Sequence, residues 1–160
     1  MTSLSELLQD ETKKAAIVQD CLALIEEEVA GKTGLSGMAI KAGYKTVKSF
    51  RPGFVNNVVR DLLPSFITAV EPTYQASLAS GTSVEVYFSE HSSDVANALL
   101  SITDAKAEVS SNRVIKGAYK KLRGAAKKNV ETAVPGLARL IEAHSLSIRE
   151  ERAASSSNPA

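Results

Sequence analysis

Apolar residues in the first part of the chain recur at alternating steps of three and four positions. This spacing places them on one face of an α-helix, and it predicts a helix over roughly residues 3 to 30. The same spacing returns later and predicts a second long helix over roughly 83 to 109, opened by a capping box at residues 82 to 85. One polar residue interrupts each pattern, Glu11 in the first and His91 in the second, and we expect these two side chains to approach one another. The apolar positions are Leu4, Leu8, Ala15, Val18, Leu22, Ile25 and Val29, then Val84, Phe88, Val95, Ala98, Ile102, Ala105 and Val109.

The two apolar patterns coincide at a shift of 80 residues, and a closer match follows each of them. Residues 40 to 48 align with residues 115 to 123 at a shift of 75, sharing the pattern Ile-Lys-x-x-Tyr-Lys. Two alignments in the same order indicate a tandem duplication. We therefore predict an all-α fold: one compact helical bundle of two duplicated units, about 1 to 80 and 81 to 152, related by an approximate two-fold axis. Residues 153 to 160 contain nothing to bury and are expected to form a disordered tail.

Proline and glycine residues predict where the helices end. The sequence Arg-Pro-Gly at residues 51 to 53 is expected to end the first basic helix, and Pro64 and Pro72 to kink or restart the helix that follows. The pair at residues 135 and 136, Pro-Gly, is expected to break the second unit. A strand over residues 84 to 88 is the competing interpretation, but the sequence offers no second strand to pair with it.

Residues 24 to 63 contain Gly-Lys-Thr-Gly-Leu-Ser-Gly, followed by Ala-Ile-Lys-Ala-Gly-Tyr-Lys-Thr-Val-Lys. This segment, about a quarter of the chain, resembles small bacterial proteins that form an uncharacterised all-helical family. The resemblance implies a bacterial source. It supplies neither an activity nor functional residues.

Composition excludes several kinds of site in this chain but does not identify its function. The 160 residues are 44% hydrophobic, enough for a core, and their formal net charge is +1, so bulk charge selects no partner. One cysteine excludes an internal disulfide and a site with several thiolates, and we expect no metal and no cofactor. No apolar stretch is long enough to span a membrane and the first residues lack a basic region, so we expect a cytoplasmic protein.

Recognisable catalytic motifs are lacking, and we expect a protein that is not an enzyme. Gly31-Lys32-Thr33 superficially resembles a phosphate-binding loop, but the spacing fails and three glutamates precede it. A helix end with Gly31 or Gly34 in the left-handed conformation is the better interpretation. The sequence has no Gly-x-Ser-x-Gly motif, and Cys21 has no identifiable base and is expected to be a small core residue.

Positive charge is segregated into two segments that contain no acidic residue. Six basic residues lie between residues 29 and 60, and seven lie between residues 109 and 130. Helical spacing puts several of them on one face of each predicted basic helix, where they would attract a polyanion, an anionic lipid surface or an acidic protein. The alternative is that these residues neutralise the acidic helices or simply face water. The candidate binding residues are Lys41, Lys45, Lys48, Lys116, Lys120, Arg123 and Lys127.

Tyr44 and Tyr119 each follow a pair of small residues and could frame a ligand slot, although such tyrosines are more often packing contacts between helices. Together the patterns favour a non-enzymatic helical interaction or assembly module, with an acidic protein or another polyanion as its partner. The first alternative is a protein that binds nucleic acid or an anionic membrane surface through the two basic helices. A third is a small-ligand carrier, which requires an internal cavity. A homo-oligomer is compatible with all three.

Overall fold

The computed structural model describes residues 3–157, and within that range the protein is all-α, as the hydrophobic spacing predicts. A short 3₁₀ helix at Leu4–Leu8 precedes the α-helices, and no strand is present in the described residues, so the competing strand over residues 84 to 88 is excluded. The α-helices are α1 (Glu11–Ala30), α2 (Gly34–Lys48), α3 (Phe54–Ser80), α4 (Val84–Glu90), α5 (Ser92–Glu108) and α6 (Arg113–Ser156).

The first predicted helix is interrupted near Asp10. Its first part is the 3₁₀ helix, which begins with a capping box in which the side chains of Ser3 and Glu6 accept from each other's backbone N–H groups. The Asp10 carboxylate then accepts hydrogen bonds from the backbone N–H groups of Thr12 and Lys13, at 2.7 and 3.1 Å. An aspartate that caps backbone N–H groups in this way starts a new helix. The single helix predicted over residues 3 to 30 is therefore two elements.

The second predicted helix is likewise broken, at His91. This residue has a non-helical backbone (φ −111°, ψ 24°) between α4 and α5, its Nδ1 lies 2.8 Å from the Tyr87 carbonyl oxygen, and its ring stacks on that of Tyr87. In the described residues no hydrogen bond or ion pair joins Glu11 to His91, so the expected pairing is not observed. The cap of α4 is Ser83, whose hydroxyl accepts from the Val86 N–H group, one residue later than the sequence suggested.

Of the predicted helix breaks, the one at residues 51 to 53 separates two helices and the one at residues 135 and 136 does not occur. Residues 51 to 53 separate α2 from α3, with Gly53 in the left-handed conformation at φ 72°. Pro64 and Pro72 lie within α3, and Pro135 lies within the continuous α6, so the predicted break of the second unit is wrong. Each proline removes one backbone hydrogen bond, but apolar burial on both sides keeps the helix continuous.

Helix α6 also extends into the predicted tail. Residues 153 to 156 are helical and exposed, whereas residues 158 to 160 lie outside the described part of the chain. In the range 3–157, no helix combines the length and the apolar content that crossing a membrane requires.

Helix α1 runs antiparallel to the C-terminal half of α6. Lys13 pairs with Glu151, while Asp20, one turn or more further along α1, contacts His144 at 2.6 Å. Further along again, the side chain of Leu24 lies over Gly136, where an added β-carbon would sit only 2.6 Å from Leu24 Cδ1. This pairing fixes one side of the bundle interior.

Candidate functional site: an apolar cavity between α3 and α6

The bundle contains a partly open cavity of about 390 Å³ with almost entirely apolar walls. Helices α1, α3 and α6 supply most of the lining, and the 3₁₀ helix, the loop after α1, α2 and α5 supply the rest. Representative lining residues are Ile17, Leu24, Leu63, Ile67, Val134 and Leu137.

The cavity exists because α3 and α6 face each other without packing closely. In the described residues no Cα atom of α3 lies within 8 Å of a Cα atom of α6, although both helices line the same space. Their side chains meet at one end, where Arg149 Nη2 donates to the Tyr74 hydroxyl at 3.0 Å. The lining residues of α6 run from Leu122 to His144, a distance of about 33 Å at 1.5 Å per helical residue. The cavity is therefore elongated along the bundle.

Charged side chains line the cavity only towards its two ends. At one end Lys32, from the loop between α1 and α2, lies 3.4 Å from the Glu28 carboxylate, and the two side chains are 16% and 28% exposed. At the other end His144 Nε2 lies 2.6 Å from an oxygen of Asp20, whose side chain is more exposed. In the sequence, Lys32 stands out only as part of a motif similar to a phosphate-binding loop, and no pattern there points to a role in a cavity.

The loop that carries Lys32 is held by glycines. Gly31 ends α1 in a right-handed conformation, whereas Gly34 has a positive φ of 74° and opens α2. Gly37 is buried so closely against the loop that an added β-carbon would lie 2.8 Å from the carbonyl carbon of Lys32. This contact places the Lys32 backbone at the end of the cavity.

Cys21 lines the cavity and is partly buried, as expected of a small core residue. Burial, together with the neighbouring Asp20 charge, raises the pKa of its thiol to about 11. A thiol in this state is a poor nucleophile at neutral pH. Among residues 3–157, no group of three or more His, Cys, Asp and Glu side chains is placed to hold a metal ion.

Tyr44 connects the first basic helix to the acidic helix before it. Its hydroxyl donates to Glu26 Oε1 at 3.0 Å, and Lys48 Nζ lies 2.6 Å from the same oxygen. The Lys48 ammonium first, and the Tyr44 hydroxyl second, hold the pKa of the Glu26 carboxyl below its ordinary value. Partial burial and the Glu26 carboxylate raise the pKa of Tyr44 to about 12.

Tyr119 makes the equivalent connection in the second half. Its hydroxyl donates to Asp104 Oδ1, and Arg123 Nε donates to the same oxygen at 2.9 Å. The Arg123 guanidinium and the Tyr119 hydroxyl lower the pKa of the Asp104 carboxyl. Tyr119 also lines an open surface pocket of about 450 Å³ with Lys116 and Lys120, and Tyr44 does not. The two tyrosines therefore hold separate interhelical contacts and do not frame one shared slot.

The candidate basic residues form two stripes. Lys41, Lys45 and Lys48 are exposed on α2, and on α6 Lys116, Lys120 and Lys127 are exposed while Arg123 is half-buried. An added β-carbon on Gly43 of α2 would meet Leu122 of α6, so these two residues mark the faces on which the helices approach each other.

Helical geometry directs these stripes away from each other. Lys41 and Lys45 are each two residues from Gly43, which puts them roughly 160° around α2 from the face that meets α6. Lys120 stands in the same relation to Leu122 on α6. A flat polyanion would contact one stripe at a time, and this arrangement argues against a single basic surface.

Comparison with known proteins gives a family and no activity. No curated protein and no solved structure matches the chain. One family model, described as a family of unknown function (DUF6918), matches residues 4–145, which include both basic helices and most of the cavity lining. The match confirms the resemblance to an uncharacterised family. The chain belongs to the DUF6918 family.

Proposed function

We propose that this protein binds an elongated apolar small molecule in the cavity between α3 and α6 and serves as its carrier. The observation that supports the proposal is the cavity itself, because about 390 Å³ falls within the range of small-molecule sites, ~300 to 1,000 Å³. Protein interiors are normally close-packed, and a space lined by apolar side chains gives water few hydrogen-bond partners. An apolar ligand would restore the missing van der Waals contacts along both walls.

The duplication predicted from the sequence fits this proposal. We infer that α1 and α5 are counterparts, and that α2 and α3 together correspond to the single helix α6. The order of the elements supports this, as do the matching contacts made by Tyr44 with Glu26 and by Tyr119 with Asp104. On this interpretation the cavity lies between α3 and its counterpart in α6, close to the approximate two-fold axis.

A function of the basic helices remains a second candidate. Lys41, Lys45, Lys116 and Lys120 are exposed and have no ion-pair partner within residues 3–157, which leaves them available to an acidic protein or another polyanion. Lys48 and Arg123, by contrast, already neutralise carboxylates of the acidic helices. The interaction or assembly module, the binding of nucleic acid or an anionic membrane, and the expectation of a non-enzymatic protein all stay predictions.

The carrier proposal is tested with a neutral apolar fluorophore, N-phenyl-1-naphthylamine. We expect the full chain to bind the probe with increased fluorescence, and bound probe to raise the melting temperature, because a ligand that binds only the folded state stabilises it. Ala133 lines the cavity, so Ala133→Phe should fill part of it and weaken binding. Ala143→Phe is the matched control on the exposed side of α6 and should bind like the wild type.

Circular dichroism establishes that both phenylalanine variants are folded. The proposal fails if the wild type does not bind the probe. It also fails if Ala133→Phe binds the probe as tightly as Ala143→Phe does.

A further inference from the structure

We propose that the natural ligand is a long-chain carboxylic acid, a fatty acid, whose carboxylate binds the Lys32 ammonium while its hydrocarbon chain lies along α6. This inference rests on the proposed function, because it assigns a ligand class to the same cavity. It goes further in naming the end at which the polar group lies and the residue that recognises it.

The end of the cavity away from Lys32 is lined mainly by buried apolar side chains. There the buried side chains of Leu4 and Leu7 from the 3₁₀ helix cover the interior. The hydrogen bond from Arg149 to Tyr74 joins α6 to α3 in the same region of the bundle. A hydrocarbon terminus fits this end because it requires no hydrogen-bond partner.

Lys32 has bonding capacity to spare. An ammonium group carries three N–H donors, and in the described residues the one ion-pair partner of Lys32 is Glu28, at 3.4 Å. That distance exceeds the usual 2.7 to 3.2 Å of N–H···O bonds by a few tenths of an ångström, so the contact is weak. With a side chain only 16% exposed, the ammonium also has limited access to water. A ligand carboxylate would supply the short, charge-assisted bond that Glu28 does not.

The basic side chain at the opposite end, His144, does not have this capacity. His144 Nε2 already lies 2.6 Å from an Asp20 oxygen, a normal short hydrogen bond. Asn129, a polar lining residue on α6, also has its Nδ2 engaged, 2.7 Å from the Ala125 carbonyl oxygen. Lys32 is therefore the lining group best able to accept a new anionic partner.

A pair of probes with the same hydrocarbon chain isolates the carboxylate. Oleate and oleyl alcohol each compete with N-phenyl-1-naphthylamine for the full-length protein, well below the concentrations at which the lipids aggregate. We expect oleate to bind the wild type roughly tenfold more tightly than oleyl alcohol, as expected of a hydrogen bond to a charged group. Lys32→Met should abolish this preference while leaving the affinity for the alcohol unchanged, and Lys32→Arg should restore it.

Three further variants make the test specific. Lys41→Met removes an exposed lysine of α2 that does not line the cavity, and the preference for oleate should survive. His144→Leu should also retain the preference for oleate. Loss of the preference in this variant would place the carboxylate at the His144 end of the cavity and overturn its assignment to Lys32. Glu28→Gln removes the competing carboxylate and should strengthen oleate binding, which keeps the test decisive even if Lys32→Met does not fold.

The outcomes separate the two proposals. If neither the probe nor either lipid binds, the carrier function itself is wrong. If oleyl alcohol binds the wild type as tightly as oleate does, or Lys32→Met keeps the preference, the cavity binds ligand but the assignment of a carboxylate to Lys32 is overturned.

Discussion

Gly43 of α2 lies against Leu122 of α6, so closely that a β-carbon added to the glycine would sit 2.7 Å from Leu122 Cδ2. Gly43→Ala should therefore destabilise the fold by about 1 to 3 kcal/mol, because either the Leu122 side chain or the two helices must shift to make room. Gly117→Ala is the matched control, since nothing lies within 4 Å of its added β-carbon. There the substitution should stabilise α6 by about 0.5 to 1 kcal/mol through helix propensity. Urea denaturation measures both, and equal stabilities would contradict the close approach.

The contact between Lys48 and Glu26 predicts a change in carboxyl titration. Lys48→Met should raise the pKa of Glu26 towards its ordinary value, because the ammonium is the main cause of its lowering. Stability from such a carboxylate is present above its unfolded pKa and is lost as the pH falls through the folded value, so the variant should lose less stability in acid. Carboxyl ¹³C NMR titration measures the pKa, with Lys45→Met as the control. An unchanged Glu26 pKa in Lys48→Met would show that the pair does not form in solution.

Cys21 reports on the cavity through its reactivity. Its pKa of about 11 leaves little thiolate at pH 8, so iodoacetamide should alkylate the folded protein far more slowly than the urea-unfolded chain. The unfolded thiol ionises first as the pH rises, so folded-state stability should be lost between about pH 9 and pH 11. Bound ligand should slow alkylation further. A rate that rises with a midpoint near the ordinary thiol pKa would contradict the burial of this residue.

The divergence of the basic stripes predicts weak binding to duplex DNA. One stripe presents about three lysines, so the slope of log affinity against log salt should be near −2.7, because each neutralised phosphate contributes about −0.9. The double variant Lys41→Glu, Lys45→Glu should reduce this binding, while Lys106→Glu, at an exposed lysine of α5 outside both stripes, serves as the control. Fluorescence anisotropy at several salt concentrations measures the slope. A slope near twice this value would mean that both stripes engage one polyanion.

The helical class could be predicted because it depends on local spacing, and the positions of the helix ends could not. Asp10 and His91 both lie inside stretches in which the apolar spacing continues. The helix is nevertheless interrupted at each: the Asp10 side chain caps a new helix, and the backbone of His91 is not helical. Pro135 illustrates the opposite case. Val134 and Ala138 on either side are buried, and this packing keeps α6 continuous through a residue that usually breaks helices.

The cavity could not be predicted because it is a property of the distance between two helices far apart in the sequence. The same apolar residues of α3 and α6 would give the same pattern if the helices packed directly together. A weak signal was present in Ala126 and Ala133, small residues on the inward face of α6 that leave room beside them. The candidate basic residues, by contrast, were correctly expected on helices. The direction in which they point depends on which faces of α2 and α6 meet, and the sequence pattern does not show that.

The long helix α6 also has a consequence for the order in which the protein can mature. It supplies one wall of the cavity, and its end pairs with the beginning of the chain, Lys13 with Glu151 and Glu6 with Arg152. A ribosome releases the apolar faces of α1 and α3 well before it synthesises their partner helix α6. Such long-range pairings slow folding and leave intermediates that are prone to aggregate. A nascent chain therefore lacks one wall of the cavity until α6 is synthesised, and under the carrier proposal an apolar ligand would be loaded only after that point.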